Sequence, residues 1–153
     1  KNYQKPEIMG PPLPIGLLII VPDAWYNNVQ PMAQWRRKKG YRVTVTRISQ
    51  VGGGDTTRVR TYIQNQYNTA PVRPTFVILV GDVADIQAYS GSAIGGRPTD
   101  LYYSTMNAGD YFPDLYLSRY SFANVGQLDT FVLKILKYEK SNWTQPDSFC
   151  KKA

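Results

Sequence analysis

The chain has 153 residues, 42% of them hydrophobic, with 18 Lys and Arg against 11 Asp and Glu for a net charge of +7. That is enough for one domain with a substantial core, it is not the composition of a disordered chain, and its longest apolar run, Ile15 to Val21, is far short of a membrane span. There is no histidine and only one cysteine, Cys150, which excludes a Ser–His or Cys–His nucleophilic pair, a histidine metal site, an internal disulfide and a cysteine zinc cluster within this chain.

Residues 1–14 hold four prolines and little periodicity and read as an extended lead-in. Ile15 to Val21 is a short continuous apolar run, the pattern of a strand buried on both faces. No charged-then-apolar leader is legible ahead of it, so any such segment is expected to have been removed or to lie outside this sequence. Pro22-Asp23 ends the strand, and Asp23 is the expected N-cap of the next helix. Trp25, Val29, Met32, Ala33 and Trp35 share a helical stripe, with an irregular first turn around Pro31 and a regular helix from about Val29. Gly40 is the expected C-cap. The basic cluster Arg36-Arg37-Lys38-Lys39 falls at this helix end, where cations favour the dipole. Since the other basic residues are scattered, a solvated helix end is preferred to a nucleic-acid site.

Tyr41 to Arg47 alternates and predicts a second strand. Ser49 to Asp55 reads as a loop. Its Gly52-Gly53-Gly54 lacks the Lys-Ser/Thr of a P-loop and the GxGxxG spacing, so a plain loop is preferred to a phosphate site. Asp55-Thr56-Thr57 is expected to cap a helix running to about Asn68, with Val59, Tyr62, Ile63 and Tyr67 at helical spacing. Phe76 to Val80 is a second buried apolar run, bounded by Pro74 and by Gly81-Asp82. The order β-α-β-α-β predicts a mainly parallel sheet with helices on both faces, a three-layer αβα architecture with right-handed crossovers. Ligands in such sheets bind at the carboxyl ends of the strands, where Asp82 falls.

Asp82 to Pro98 is long and patternless, as functional or mobile loops are. Thr99 to Met106 and Asp114 to Tyr120 read as two strands pairing in a β-hairpin across a wide turn. Asn124 is expected to cap a long amphipathic helix through Lys140. Arg119, on a mostly apolar strand, is expected to pair with Asp100 or Asp85 in a structural ion pair. The α/β unit is placed at 15–141, with 142–153 as a tail or the start of a further subdomain.

Taken together, GLLIIVPDAWY (16–26), AQWRRKKGYRVTV (33–45), TTRVRTYIQNQY (56–67), TFVILVGD (75–82), TDLYYSTMNAGDYFPDLYLSRYS (99–121) and FVLKILKYEK (131–140) resemble, in order, the gingipain-type cysteine peptidases. The resemblance covers Ile15 to Lys140. It implies a caspase-like α/β fold, bacterial secretion, and a two-part catalytic domain acting on protein or peptide substrate. Its histidine and cysteine would lie in a second subdomain, after the helix ending near Lys140, and that subdomain would be the partner of this one. The chain is then expected to be inactive alone, and Cys150 does not match the nucleophile position. The resemblance also implies a structural calcium site held by Asp82, Asn107 (backbone carbonyl), Asp110, Phe112 (backbone carbonyl) and Asp114, the last standing where the best-known members have glutamate. Calcium takes six to eight oxygens, mixing carboxylates and carbonyls. Pro113 argues against a helix between Asp110 and Asp114, so the backbone there must loop. The alternative is a non-catalytic flavodoxin-like or receiver-like binding module, with Asp82 as an acidic-pocket residue and Asp23 as its lone companion.

Overall fold

A computed structural model describes residues 14–91, 96–107 and 112–140. Four strands, β1 (Gly16–Val21), β2 (Arg42–Arg47), β3 (Pro74–Val80) and β6 (Tyr116–Tyr120), form one wholly parallel sheet in the order β2-β1-β3-β6. Helices α1 (Tyr26–Lys38) and α4 (Val125–Lys140) lie on one face and α3 (Thr56–Thr69) on the other. The predicted mainly parallel α/β class is therefore the observed one.

The pleat explains the three layers. Leu17, Ile19 and Val21 point with Ile78 and Val80 toward Val29, Met32 and Ala33 of α1 and Leu128 and Val132 of α4. Leu18 and Ile20 point the other way, with Val77 and Leu79, toward Val59 and Ile63 of α3. β1 is buried throughout, as the unbroken apolar run requires when both faces are covered. Each fully buried aliphatic side chain here contributes about 1.5–3 kcal/mol of transfer free energy.

The helix boundaries sharpen the sequence reading. A single 3-10 turn (Asp23–Trp25) runs straight into α1 at Tyr26, earlier than the expected Val29, and Pro31 falls inside the helix. Pro31 is exposed, so the carbonyl it leaves without an amide partner can turn to water. At the far end, Gly40 N–H donates to the Arg37 carbonyl (3.0 Å) and Tyr41 N–H to the Arg36 carbonyl (3.1 Å), with Gly40 at φ 93°. This is a Schellman closure. Asp55 caps α3 by accepting from Arg58 N–H at 3.0 Å, and Asn124 accepts from Gln127 N–H at 3.1 Å ahead of α4.

Asp23 does not cap α1, because its carboxylate reaches across to Ser49, accepting from its N–H (3.0 Å) and its hydroxyl. Ser49 lies in α2 (Ile48–Val51), a single turn within the expected loop.

The expected hairpin is corrected. Residues 99–106 do not form a strand beside 114–120. Instead Pro98–Thr99 (β5) pairs antiparallel with Tyr89–Ser90 (β4), giving a small hairpin inside the segment read as patternless. Leu101–Tyr103 is a 3-10 turn, and Tyr103, Ser104, Thr105 and Met106 are buried one after another. A half-exposed strand cannot bury four consecutive side chains, since alternate ones face opposite sides. The segment packs along α3, where Arg60 donates to the Tyr102 and Thr105 carbonyls and Gln64 to that of Met106. β6 then pairs with β3, parallel, in the register Phe76↔Tyr116 to Val80↔Tyr120.

Helices α1 and α4 are clamped through one carboxylate. Glu139 accepts from Trp35 Nε1 (2.8 Å), Arg36 (2.8 Å) and Lys39 (2.7 Å). The basic cluster at the end of α1 thus has internal work, and Arg37 adds a bond to the Val43 carbonyl at 3.1 Å.

Candidate functional site

The topological switch lies at β1, whose neighbours β2 and β3 are reached by crossovers on opposite faces, so the crevice opens at the carboxyl ends of β1 and β3. Asp23 and Asp82 stand just beyond these two strand ends. Asp23 follows β1 and is held by Ser49. Asp82 follows β3, where its Oδ1 accepts from Val83 N–H (2.8 Å) and from the Ser121 hydroxyl (2.9 Å) beyond β6. The Val83 amide, the Ser121 hydroxyl and, more weakly, the Arg119 charge hold the Asp82 carboxyl below the usual aspartate range, against a small opposing effect of desolvation. Asp82 is thus an ionised, exposed carboxylate at neutral pH.

The backbone around it is built by two close approaches. Gly81 has φ 119°, a conformation side-chain-bearing residues rarely adopt, and this turn aims Asp82 N–H at Asp85 Oδ2 (3.1 Å). Gly54 lies so near the Asp85 carbonyl that a Cβ there would sit 2.0 Å from its oxygen. Gln87 N–H donates to the Gly54 carbonyl at 2.8 Å. The last glycine of the triple run therefore serves loop-to-loop packing.

Arg119 ties this end together. Its guanidinium forks onto Asp100, Nε to Oδ2 and Nη2 to Oδ1, both at 2.7 Å, and Nη1 donates to the Ile86 carbonyl (2.9 Å) and the Gly81 carbonyl (3.3 Å). Of the two expected partners, Asp100 is the one that pairs. Desolvation alone would lower the Arg119 pKa, but the Asp100 hydrogen bonds and charge outweigh it and raise the pKa further. Tyr103, packed under the same loop, donates its hydroxyl to the Gln87 carbonyl, and burial pushes that phenol well above its ordinary range.

Of the five expected calcium ligands, the four that the structure describes are not gathered at this end. Asp114 precedes β6. Its Oδ2 accepts from Met106 N–H (2.6 Å) and Asn107 N–H (3.2 Å), and its Oδ1 from the Asn107 side-chain amide (2.9 Å). Phe112 is 80% exposed, and Asp110 lies outside the described residues. Asn107 and Asp114 are thus brought together, but Asp82 is not with them. The Tyr116-to-Tyr120 span of β6 alone is about 13 Å at strand rise, and it separates the Asp82–Ser121 contact from Asp114. Oxygens on one calcium lie within about 5 Å of each other at bond lengths of 2.3–2.6 Å. Among the described residues no three acidic, histidine or cysteine side chains gather as a metal site. Sequence reasoning placed Asp82 in that set by resemblance; parallel pairing of β6 puts the two ends of the set apart.

Ser121, Ser49 and Glu139 were missed as partners. Serines flanking strand ends carry no periodic signal, and Glu139 is an acid among lysines whose clamp depends on a helix 100 residues away.

A parallel sheet wound on both faces, with aspartates beyond the carboxyl ends of β1 and β3, defines the class as a doubly wound α/β unit. The sequence model of peptidase family C25 matches residues 11–151, and the chain belongs to that family. Lys-gingipain of Porphyromonas gingivalis is 32% identical over 145 residues, 92% of this chain and 8% of the relative. Gingipain R2 of the same species is 22% identical over 130 residues, covering 84% of this chain and 17% of the relative. A solved structure described as a protease superposes with a TM-score of 0.78 at 29% identity, over 86% of this chain and 30% of its own. The crystal structure of the Arg-specific cysteine proteinase gingipain R shares the fold, with a TM-score of 0.72 at 19% identity over 82% of this chain and 28% of its own. The chain therefore spans a small part of the length of the curated relatives it matches.

Proposed function

We propose that this chain is the first subdomain of a secreted bacterial cysteine endopeptidase of the gingipain type, a scaffold that lacks the catalytic pair. The observation carrying this is the family match over residues 11–151 in a sequence without histidine. The complete enzyme would open peptide bonds by thiolate attack, a histidine moving the proton and an acyl-enzyme forming, both groups lying in the second subdomain. This chain would supply the parallel sheet beside that site and hold its carboxyl-end loops through Arg119, Asp100 and Gly54. No described helix is long and apolar enough to cross a membrane, which is compatible with secretion.

For calcium, the residues of the segment 107–114 are a better candidate set than the full five. Asp114 is already oriented by two amide N–H groups, and a carboxylate offers about four acceptor positions, of which three are taken. We place the ion with Asp114, Asp110 and the carbonyls of Asn107 and Phe112, without Asp82. Bound there, calcium would offset carboxylate repulsion and brace the segment 107–114.

The test compares peptide hydrolysis by this chain and by the full-length protein. The chain should cleave nothing, and thiol alkylation should abolish cleavage by the full-length protein. Cleavage by the chain alone, or an alkylation-resistant full-length enzyme, would overturn the reading.

A further inference from the structure

The two edges of the sheet are finished differently. Along β2, Arg37 donates to the Val43 carbonyl, and Arg42 and Arg47 put charge at both strand ends. Such features blunt an edge against further pairing. Along β6, no described strand pairs with the outer side, and the only charged residue, Arg119, is turned inward to Asp100. Tyr116 is 69% exposed, and Ser118 is exposed beside it.

The face next to that edge is also incomplete. The Glu139 clamp draws the last turn of α4 toward α1. Of the described helices only α1, through Arg36, lines the surface over the amino-terminal half of β3 and β6. A groove of about 200 Å³ remains there, lined by Arg36, Tyr41, Phe76, Tyr116, Ser118 and Tyr120. The Phe76 and Tyr116 rings stack at 5.2 Å, and Tyr41 meets Phe76 edge-on at 6.4 Å. Parallel sheets are ordinarily covered on both faces, and an aromatic lane beside an unblunted edge is the arrangement that strand addition uses: backbone bonds along the edge and alternate side chains in the groove.

We propose that β6 receives a further strand, supplied by the part of the same peptidase outside these residues, with its alternate apolar side chains seated on Phe76 and Tyr116. The length of chain involved supports that occupant, since these residues make up 30% of the solved protease they superpose on. The proposal rests on the reading of this chain as one subdomain of a larger peptidase.

Amide hydrogen exchange, compared between this chain and the full-length protein, tests it. The amides of Tyr116–Tyr120 should exchange at least ~10-fold more slowly in the full-length protein, with those of Arg42–Arg47 unchanged. The double variant Tyr116→Lys with Ser118→Lys should abolish that difference while lowering the melting temperature of this chain alone by no more than about 4 °C, the loss of the exposed Tyr116–Phe76 stacking. Should the chain alone not hold its fold, the comparison is made within the full-length protein, where β6 should exchange as slowly as β1, which is paired on both sides. Equal β6 exchange in both forms, exchange in the full-length protein faster than in β1, or new protection confined to β2 would overturn the proposal. A full-length protein that cleaves no peptide would instead refute the peptidase reading, whatever β6 shows.

Discussion

Replacing Arg119 by methionine removes a partly buried cation from four acceptors while keeping much of its bulk. The Arg119 side chain is 12% exposed and that of Asp100 23%. Two charge-assisted hydrogen bonds of 2.7 Å are lost, and the Ile86 and Gly81 carbonyls lose a donor. Bonds to charged groups contribute about 1.5–3 kcal/mol each, but Asp100 can recover some water, so the sum is reduced to about 3 kcal/mol. For a domain of this size that lowers the melting temperature by roughly 9 °C. Asp100→Asn, which keeps a hydrogen-bonding group, should cost about 1–2 kcal/mol. The coupling in the double-mutant cycle should be about 2 kcal/mol. Urea unfolding followed by circular dichroism measures all four proteins. Additivity within about 0.5 kcal/mol would show that the fork does not bind the two segments energetically. An Arg119→Met protein melting with the wild type would remove the pair as the fastening of this end.

Glu139→Gln should cost about 1–2 kcal/mol by cutting two ion pairs between α1 and α4. Burial works against ionisation of Glu139, but hydrogen bonds from Lys39 and Trp35 and the Arg36 charge prevail and keep its pKa below the ordinary 4.5. The carboxylate's contribution is therefore full above pH 4.5 and is lost as pH falls through the lowered folded value, so the stability gap between wild type and variant should be constant above about pH 5.5 and close in acid. A gap unchanged down to pH 3 would refute the clamp. Gly54→Ala must push aside the Asp85 backbone and should destabilise by about 2–3 kcal/mol, whereas Gly40→Ala, with open space around it but φ 93°, should cost only about 1 kcal/mol; denaturant midpoints rank the two, and equal values would discount the loop contact. Ile19→Ala, at the centre of the buried strand, should cost about 3–4 kcal/mol, measured in the same way. Calcium should raise the melting temperature of wild type and Asp82→Ala equally and leave Asp114→Ala unmoved; loss of the effect in Asp82→Ala would restore it to the site.

Continuous apolar runs at Ile15–Val21 and Phe76–Val80 were enough to predict strands covered on both faces, because a strand buries every side chain in turn only when its sheet is packed between two layers. Helical stripes and capping residues such as Asp55, Asn124 and Gly40 acted locally, within a turn of where they stand, and so were legible. Arg119 could be expected to need a carboxylate, since a cation among apolar strand residues has few alternatives. What only the tertiary structure decided was pairing at a distance. The segment 99–106 has the composition of a strand, yet packing against α3 turns it into a buried connection, and β6 joins β3 in parallel. That choice separates Asp82 from Asp114, since residues at opposite ends of a parallel crossover stand a strand's length apart. It also leaves β6 at the margin of the described sheet. Strand composition reports whether a segment can be pleated; which edge it joins depends on helix faces and loop contacts that are distant in the chain and leave no periodic trace in it.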